Sequence, residues 1–251
     1  MNYPIIPYRI FPLGDTAVTV DFGNRIDEAL NNEVIARVNQ LQQYPLPGMI
    51  EVVPAYSSFT VCYDVLSVKK TINAEQTVFE LIKQQLVERL QQPVHPKKTV
   101  LEIISIPVCY DIEFALDIQY LAGTKNISVD EVIDIHTSKN YKVYMLGFLP
   151  GFAYMGEVDE RIIMPRKLQP VNITPGSVGI AGKQTGIYPF ASPGGWQIIG
   201  RTPLKLFDTG NEEPALLKAG LTIQFYSISK TDFYEIQNSA LRKEEEPGGE
   251  I

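Results

Sequence analysis

Apolar and polar positions alternate around Val18, Val20 and Phe22, with Thr19 and Asp21 between them, and this period of two predicts strand within residues 8–22. The period then changes. Leu30, Val34, Val38 and Leu41 recur on one face of a helix that Asp27 caps and that runs to about Tyr44. Pro45 and Pro47-Gly48 stop it. Two strands follow near 49–53 and 57–63, the second setting Phe59, Val61 and Tyr63 against Ser58, Thr60 and Cys62. Asn73 with Gln76 resembles a capping box for the next helix, which turns Val78, Ile82, Leu86 and Leu90 inward and ends at Pro93. The short polar stretch Pro93–Lys98, with two prolines, marks a domain boundary. Residues 1–93 therefore read as a small α+β sandwich, two strand pairs each followed by a helix.

The second part opens with a strand over Val100–Tyr110, a helical stretch from Asp117, and another behind the capping box of Ser128 and Glu131. After Tyr141 helical periods vanish. Eleven of the eighteen glycines lie between Gly147 and Gly210, among dense prolines, and short apolar segments between them predict hairpins of a β-barrel over 99–240. The end of the chain, 241–251, charged and Gly-rich from Arg242 to Ile251, reads as a disordered tail.

Composition narrows the function classes. With 45% apolar and 20% charged residues the 251-residue chain is globular, and a net charge of −7 argues against a general nucleic-acid binder. No apolar run approaches the roughly 18 residues of a membrane span, and the first residues carry no signal-peptide pattern. Cys62 and Cys109, lacking CxxC spacing, fit a reducing cytoplasm better than a disulfide scaffold, and with His95 and His136 they do not form a zinc pattern.

One charge count points to chemistry. From Arg161 to Phe207 there is no acid, while Arg161, Arg166, Lys167, Lys183, Arg201 and Lys205 give +6. Such a strip either pairs with acids elsewhere in the fold or forms an anion site, where arginine forks and glycine-loop amides meet a carboxylate or phosphate. The segment Gly147–Gly156 is too apolar for a purposeless loop, and its Phe148 and Phe152 suit core packing better than ligand contact. Pro175–Gly186 fails the Walker pattern, because Ser177 stands at the first glycine and Gln184 at the magnesium-binding hydroxyl. It reads better as a hairpin presenting Ser177, Gln184 and Thr185. Ser177 lacks a GxSxG context for a nucleophile. Trp196, the only tryptophan, is either a packing residue or, beside Gly194-Gly195, a pocket wall. His136, at a helix end, is either a satisfied cap residue or a general acid/base.

The strings GFLPGFAYMG, PRKLQP and GSVGIAGKQTGIYPFASPGGWQIIGRTPLKLFD strongly resemble the KipI/PxpB family, also called allophanate hydrolase subunit one. The resemblance extends through GDTAVTVDFG, IPVCYD and EVIDIHTSKNYKVYMLGF to about residue 230; one departure is Val171 after Pro170, where members often carry a second Pro-Arg pair. The resemblance implies an N-terminal α+β domain joined to a cyclophilin-like β-barrel. It also implies the B component of a bacterial ATP-dependent 5-oxoprolinase, a cytoplasmic hydrolase that opens the lactam of 5-oxoproline to glutamate. Its partners would be an allophanate hydrolase subunit two-like C subunit and a LamB/YcsF-like A subunit, with ATP, and Mg²⁺ with it, on the complex. In such a site Arg166 and Arg201 are expected to grip carboxylate or phosphate. Amides of the 176–186 and 192–196 loops (Gly176, Gly182, Gly194, Gly195) would complete the cradle beside Ser177 and Trp196. Gln184, Thr185 and Tyr188 would orient the ring, and His136 would shuttle a proton. Two further readings stand beside it: an inhibitor that docks on a sensor histidine kinase, and half of a biotin-dependent urea carboxyltransferase.

Overall fold

The computed structural model describes residues 6–71, 76–94 and 103–245, and the chain divides into two units, Met1–Val100 and Leu101–Ile251. His95 and most of the proline-containing boundary stretch lie outside the described residues.

In the first unit the order is β1 (Arg9–Pro12), β2 (Ala17–Asp21), α1 (Glu28–Gln43), β3 (Met49–Pro54), β4 (Ser58–Tyr63), α2 (Val65–Lys69) and α3 (Val78–Gln91). The strands form an antiparallel sheet in the order β1-β2-β4-β3. Strand alternation puts Val18, Val20, Phe59, Val61 and Tyr63 into one core with Leu30, Val34, Val38 and Leu41 of α1 and Ile82, Leu86 and Leu90 of α3. Asp27 caps α1 by accepting from the Leu30 amide. The capping box of α3 is made by Thr77 and Glu80, not by Asn73 and Gln76. Thr77 directly precedes the first helical residue, so its hydroxyl reaches the third amide; Asn73 lies outside the described residues. Arg37 of α1 is buried, and its guanidinium donates to the Arg89, Leu90 and Gln92 carbonyls, satisfying the C-terminal end of α3, while Glu33 neutralises it.

The second unit runs β5 (Ile103–Val108), α4 (Ile118–Lys125), α5 (Val129–Thr137), β6 (Asn140–Leu146), β7 (Ala153–Gly156), a 3₁₀ turn (Glu160–Ile162), β8 (Val171–Ile173), β9 (Ser177–Ala181), β10 (Gln184–Ile187), β11 (Ser192–Gly194), β12 (Gln197–Arg201), β13 (Thr222–Ser227) and α6 (Lys230–Glu245). Seven strands make one sheet in the order β12-β9-β10-β7-β6-β13-β5, with β8 and β11 as a separate pair. The sheet's two ends meet. Cys109, just past β5, exchanges backbone bonds of 2.8 and 3.0 Å with Arg201 at the end of β12, so the sheet curls into a barrel. Gly200 permits that closure: a Cβ there would press on the Val108 side chain and lie 3.0 Å from the Cys109 carbonyl. Ile106, Val143, Met155, Val178, Ile187 and Phe225 fill the interior.

The α+β class and the barrel-like second unit are as the sequence implies. The Ser128–Glu131 box starts α5 and α4 begins directly after Asp117, as expected, although Asp117 makes no side-chain cap bond. One detail differs. Helix α6 continues through residues 242–245, which the charge pattern placed in a disordered tail; residues 246–251 lie outside the described ones. The Ser229 hydroxyl and Asp232 cap the start of α6, and Phe233 is buried within it.

Candidate functional site

Folding divides the six bases of the acid-free strip. Arg161 pairs with Asp159 at 3.0 Å, Lys167 with Asp117 at 2.7 Å, Lys183 with Glu157 at 3.9 Å and Lys205 with Asp208 at 2.9 Å. All four acids lie outside the strip, so the pairing explanation of the charge count holds for these four, and no single hollow gathers the six. Among the described residues, Arg166 and Arg201 have no carboxylate within ion-pair distance. Arg166 lies in the loop before β8 with its guanidinium over Trp196, whereas Arg201 ends β12 with its guanidinium over Phe114 and Phe233. The two arginines expected to grip carboxylate or phosphate thus stand on different aromatic neighbours.

Arg166 is exposed, and its guanidinium lies 6.0 Å from the Trp196 ring centre. Trp196 itself is buried in a cluster with Phe152, Tyr154 and Tyr188. Phe152 is the hub: its ring centre lies 4.8 Å from that of Tyr154, 5.0 Å from Tyr188 and 5.4 Å from Trp196, the last two edge-to-face. Phe148, expected in the core, is instead 63% exposed at the loop tip, 5.3 Å from the Phe152 ring. Burial pushes the Tyr154 and Tyr188 phenols up, and the nearby Arg166 charge pulls against it in both. The result is a cation seated on an aromatic platform, with Tyr154 half-exposed beside it. Such a surface can offer an anion charge-assisted hydrogen bonds.

Arg201 is held differently. Its Nε donates to the Pro175 carbonyl at 2.8 Å, and its guanidinium lies 5.8 and 5.7 Å from the Phe114 and Phe233 rings, which stack on each other at 4.4 Å. Glu113 beside them accepts from Tyr234 at 3.0 Å and pairs with Lys230. Arg201 thus helps seat the first turn of α6.

His136 does not face solvent. It is fully buried, stacked at 4.6 Å on Phe225. Thr185 donates its one hydroxyl hydrogen to the Gly179 carbonyl at 3.1 Å, so His136 Nε2–H must donate to Thr185 Oγ1 at 3.0 Å, and Nδ1 accepts from the Tyr110 hydroxyl at 2.7 Å. Burial lowers the imidazole pKa to about 3. It is a neutral, fully bonded core residue, which corrects the proton-shuttle reading. Thr185 belongs to the same network. Ser177 is buried against Thr174 Oγ1 at 3.1 Å, and the Tyr188 phenol takes the Trp196 backbone amide inside the core.

Of the four glycine amides expected in the cradle, those of Gly176 and Gly182 are committed within the barrel. Residues 176–186 form a hairpin turning at Gly182-Lys183, with the Gly176 amide bonded to the Tyr188 carbonyl and that of Gly182 to Met164. No helix follows it, so a phosphate loop is excluded in the structure as in the sequence. Gly176, at φ +81°, lies against the Thr202 carbonyl, and Gly194 leaves room for the Tyr188 phenol. Gly195 is half-exposed beside Arg166 Cβ, and Gln184 half-exposed at the start of β10. Among the described residues no three His, Cys, Asp or Glu side chains gather as metal ligands, and no helix is long and apolar enough to cross a membrane.

Residues 8–217 match the family model described as carboxyltransferase domain, subdomain C and D. The chain belongs to this family. Its likeness to KipI/PxpB proteins holds at full length: it is 44% identical over 231 residues to a Bacillus subtilis protein named as the B component of 5-oxoprolinase, covering 91% of this chain and 96% of that one. A solved Pyrococcus horikoshii protein shares 40% identity with a TM-score of 0.52, covering 90% of this chain and all of its own. Another solved chain, at 29% identity and a TM-score of 0.71, is longer: the match covers 85% of this chain and 40% of that one. In this member of the family, sequence reasoning missed one residue beside the site. Asp117 reads as a helix start, yet its carboxylate accepts from the Ile198 amide at 2.6 Å and from Lys167. The only signal was its place before a helix, where an aspartate normally caps.

Proposed function

We propose that this chain is the B component of an ATP-dependent 5-oxoprolinase, acting with a LamB/YcsF-like A subunit and an allophanate hydrolase subunit two-like C subunit to convert 5-oxoproline and water to L-glutamate. The near-full-length match to a protein named as that component carries this reading.

The chemistry asks for what the barrel offers. A five-membered lactam is a weak electrophile, and transfer of a phosphoryl group from ATP to its carbonyl oxygen activates the carbon. Water adds to that carbon, the C–N bond breaks as the nitrogen takes a proton, and a second water hydrolyses the resulting acyl phosphate to the carboxylate and inorganic phosphate. Throughout, the substrate carboxylate needs a fixed cation. Arg166 fills that role on this chain: it is exposed, without an acid partner among the described residues, and backed by Trp196. Gln184, half-exposed at the start of β10, is a second polar side chain of the expected set. ATP, and Mg²⁺ with it, are assigned to the complex.

The test is 5-oxoproline-dependent ATP hydrolysis with the three subunits omitted in turn. Loss of activity without this chain, restored on its return, is the expected result. Full activity in its absence overturns the proposal and leaves the docking or carboxyltransferase readings.

A further inference from the structure

Arg166 lies between two residues that are both tied to the start of β12. The Pro165 carbonyl accepts from Gln197 Nε2 at 3.0 Å, and the Lys167 amide donates to the Gly195 carbonyl at 2.6 Å. The Lys167 ammonium reaches a third anchor, Asp117 Oδ2. That same oxygen accepts from the Ile198 amide, and the Asp117 amide donates to the Ile198 carbonyl at 2.8 Å. One carboxylate oxygen therefore binds both the loop that carries Arg166 and the strand that follows Trp196.

We propose that Asp117 is the positioning residue of this site, holding the Arg166 loop against β12 so that the guanidinium stays over Trp196. The inference rests on the assignment of Arg166 to the substrate carboxylate. Three observations support it. Asp117 stands at the N-cap of α4 but makes no cap bond, so its carboxylate is committed to the loop and strand instead. The pair is largely enclosed, with side-chain exposures of 16% for Asp117 and 19% for Lys167, so water screens it little. Pairing also neutralises Lys167, which leaves Arg166 as the adjacent cation without an acid partner among the described residues.

The experiment measures KM and kcat for 5-oxoproline on the assembled three-subunit complex carrying D117N, K167M or R166M in this chain. D117N keeps an acceptor for the Ile198 amide but loses the charge that holds Lys167. K167M leaves the Asp117–Ile198 bonds in place and serves where D117N does not fold. The expected result is a KM raised roughly tenfold in all three, since displacing a binding group by an ångström has effects of that order or more, with kcat within about twofold of wild type. In the isolated chain the emission of Trp196, the sole tryptophan, shifts in D117N and K167M as the guanidinium leaves it. A raised KM in R166M with unchanged KM in D117N and K167M overturns the positioning role. So does a fall in thermal stability in those two variants without a KM change. An unchanged KM in R166M overturns the assignment of Arg166 itself, and the inference with it.

Discussion

Thr185 has one hydroxyl hydrogen, the Gly179 carbonyl takes it, and the tautomer of His136 follows. This local arrangement has a pH signature. The unfolded chain protonates the imidazole near its ordinary value of 6.5, whereas the folded barrel holds it neutral down to about 3. The unfolded state therefore binds the extra proton between these values. Its contribution to stability is fully present above 6.5 and declines as pH falls through that window, by about 1.4 kcal/mol per pH unit for one proton. Urea unfolding of the barrel followed by Trp196 emission, from pH 4 to 7, is expected to show this slope, with a shallower one in H136Q. The sequence left His136 open between structural and catalytic roles, because a histidine at a helix end looks the same in either. The partners that decide it, Tyr110 and Thr185, lie 26 and 49 residues away.

Elements whose signals are local were legible. Asp27 and the face Leu30, Val34, Val38 and Leu41 located α1, and Ser128 with Glu131 located the start of α5. The Asn73–Gln76 pair misled because two cap-like patterns stand close together and only Thr77 abuts the first helical residue. Helix α6 escaped notice because it has little apolar period: Phe233 is buried, Ile236 half-buried, and most of its other described positions are exposed. Barrel closure is an element-scale property with its own test. Gly200→Ala forces a methyl group between β12 and Val108, and overpacking of this kind costs about 1–3 kcal/mol. Thermal unfolding read at Trp196 is expected to shift down accordingly. An unchanged midpoint would mean that closure at Cys109 and Arg201 tolerates a side chain.

On the scale of the whole molecule, the two arginines without acid partners do separate work. Arg166→Met is expected to weaken 5-oxoproline use by the complex by about 1.5–3 kcal/mol, the usual size of a charge-assisted contact. Arg201→Met is expected to leave KM within about twofold and to lower barrel stability, since its guanidinium sits on Phe114 and Phe233. Because the two guanidiniums share no aromatic partner, effects in the double variant should add within about 0.5 kcal/mol. Strong coupling in KM would show that both arginines reach one ligand.

The linear chain determined most of the elements, the change of character after Tyr141 and the family, because these depend on periodicity, capping pairs and contiguous strings such as GSVGIAGKQTGIYPFASPGGWQIIGRT. Tertiary structure alone decided the site. Charge counted along a chain says nothing of which acids stand beside which bases in space. Asp117, Glu157, Asp159 and Asp208 each take one base from the acid-free strip, which leaves Arg166 over Trp196 and Arg201 over Phe114 and Phe233. Pairing across a barrel is a long-range property, set by which strands the sheet brings together rather than by spacing along them.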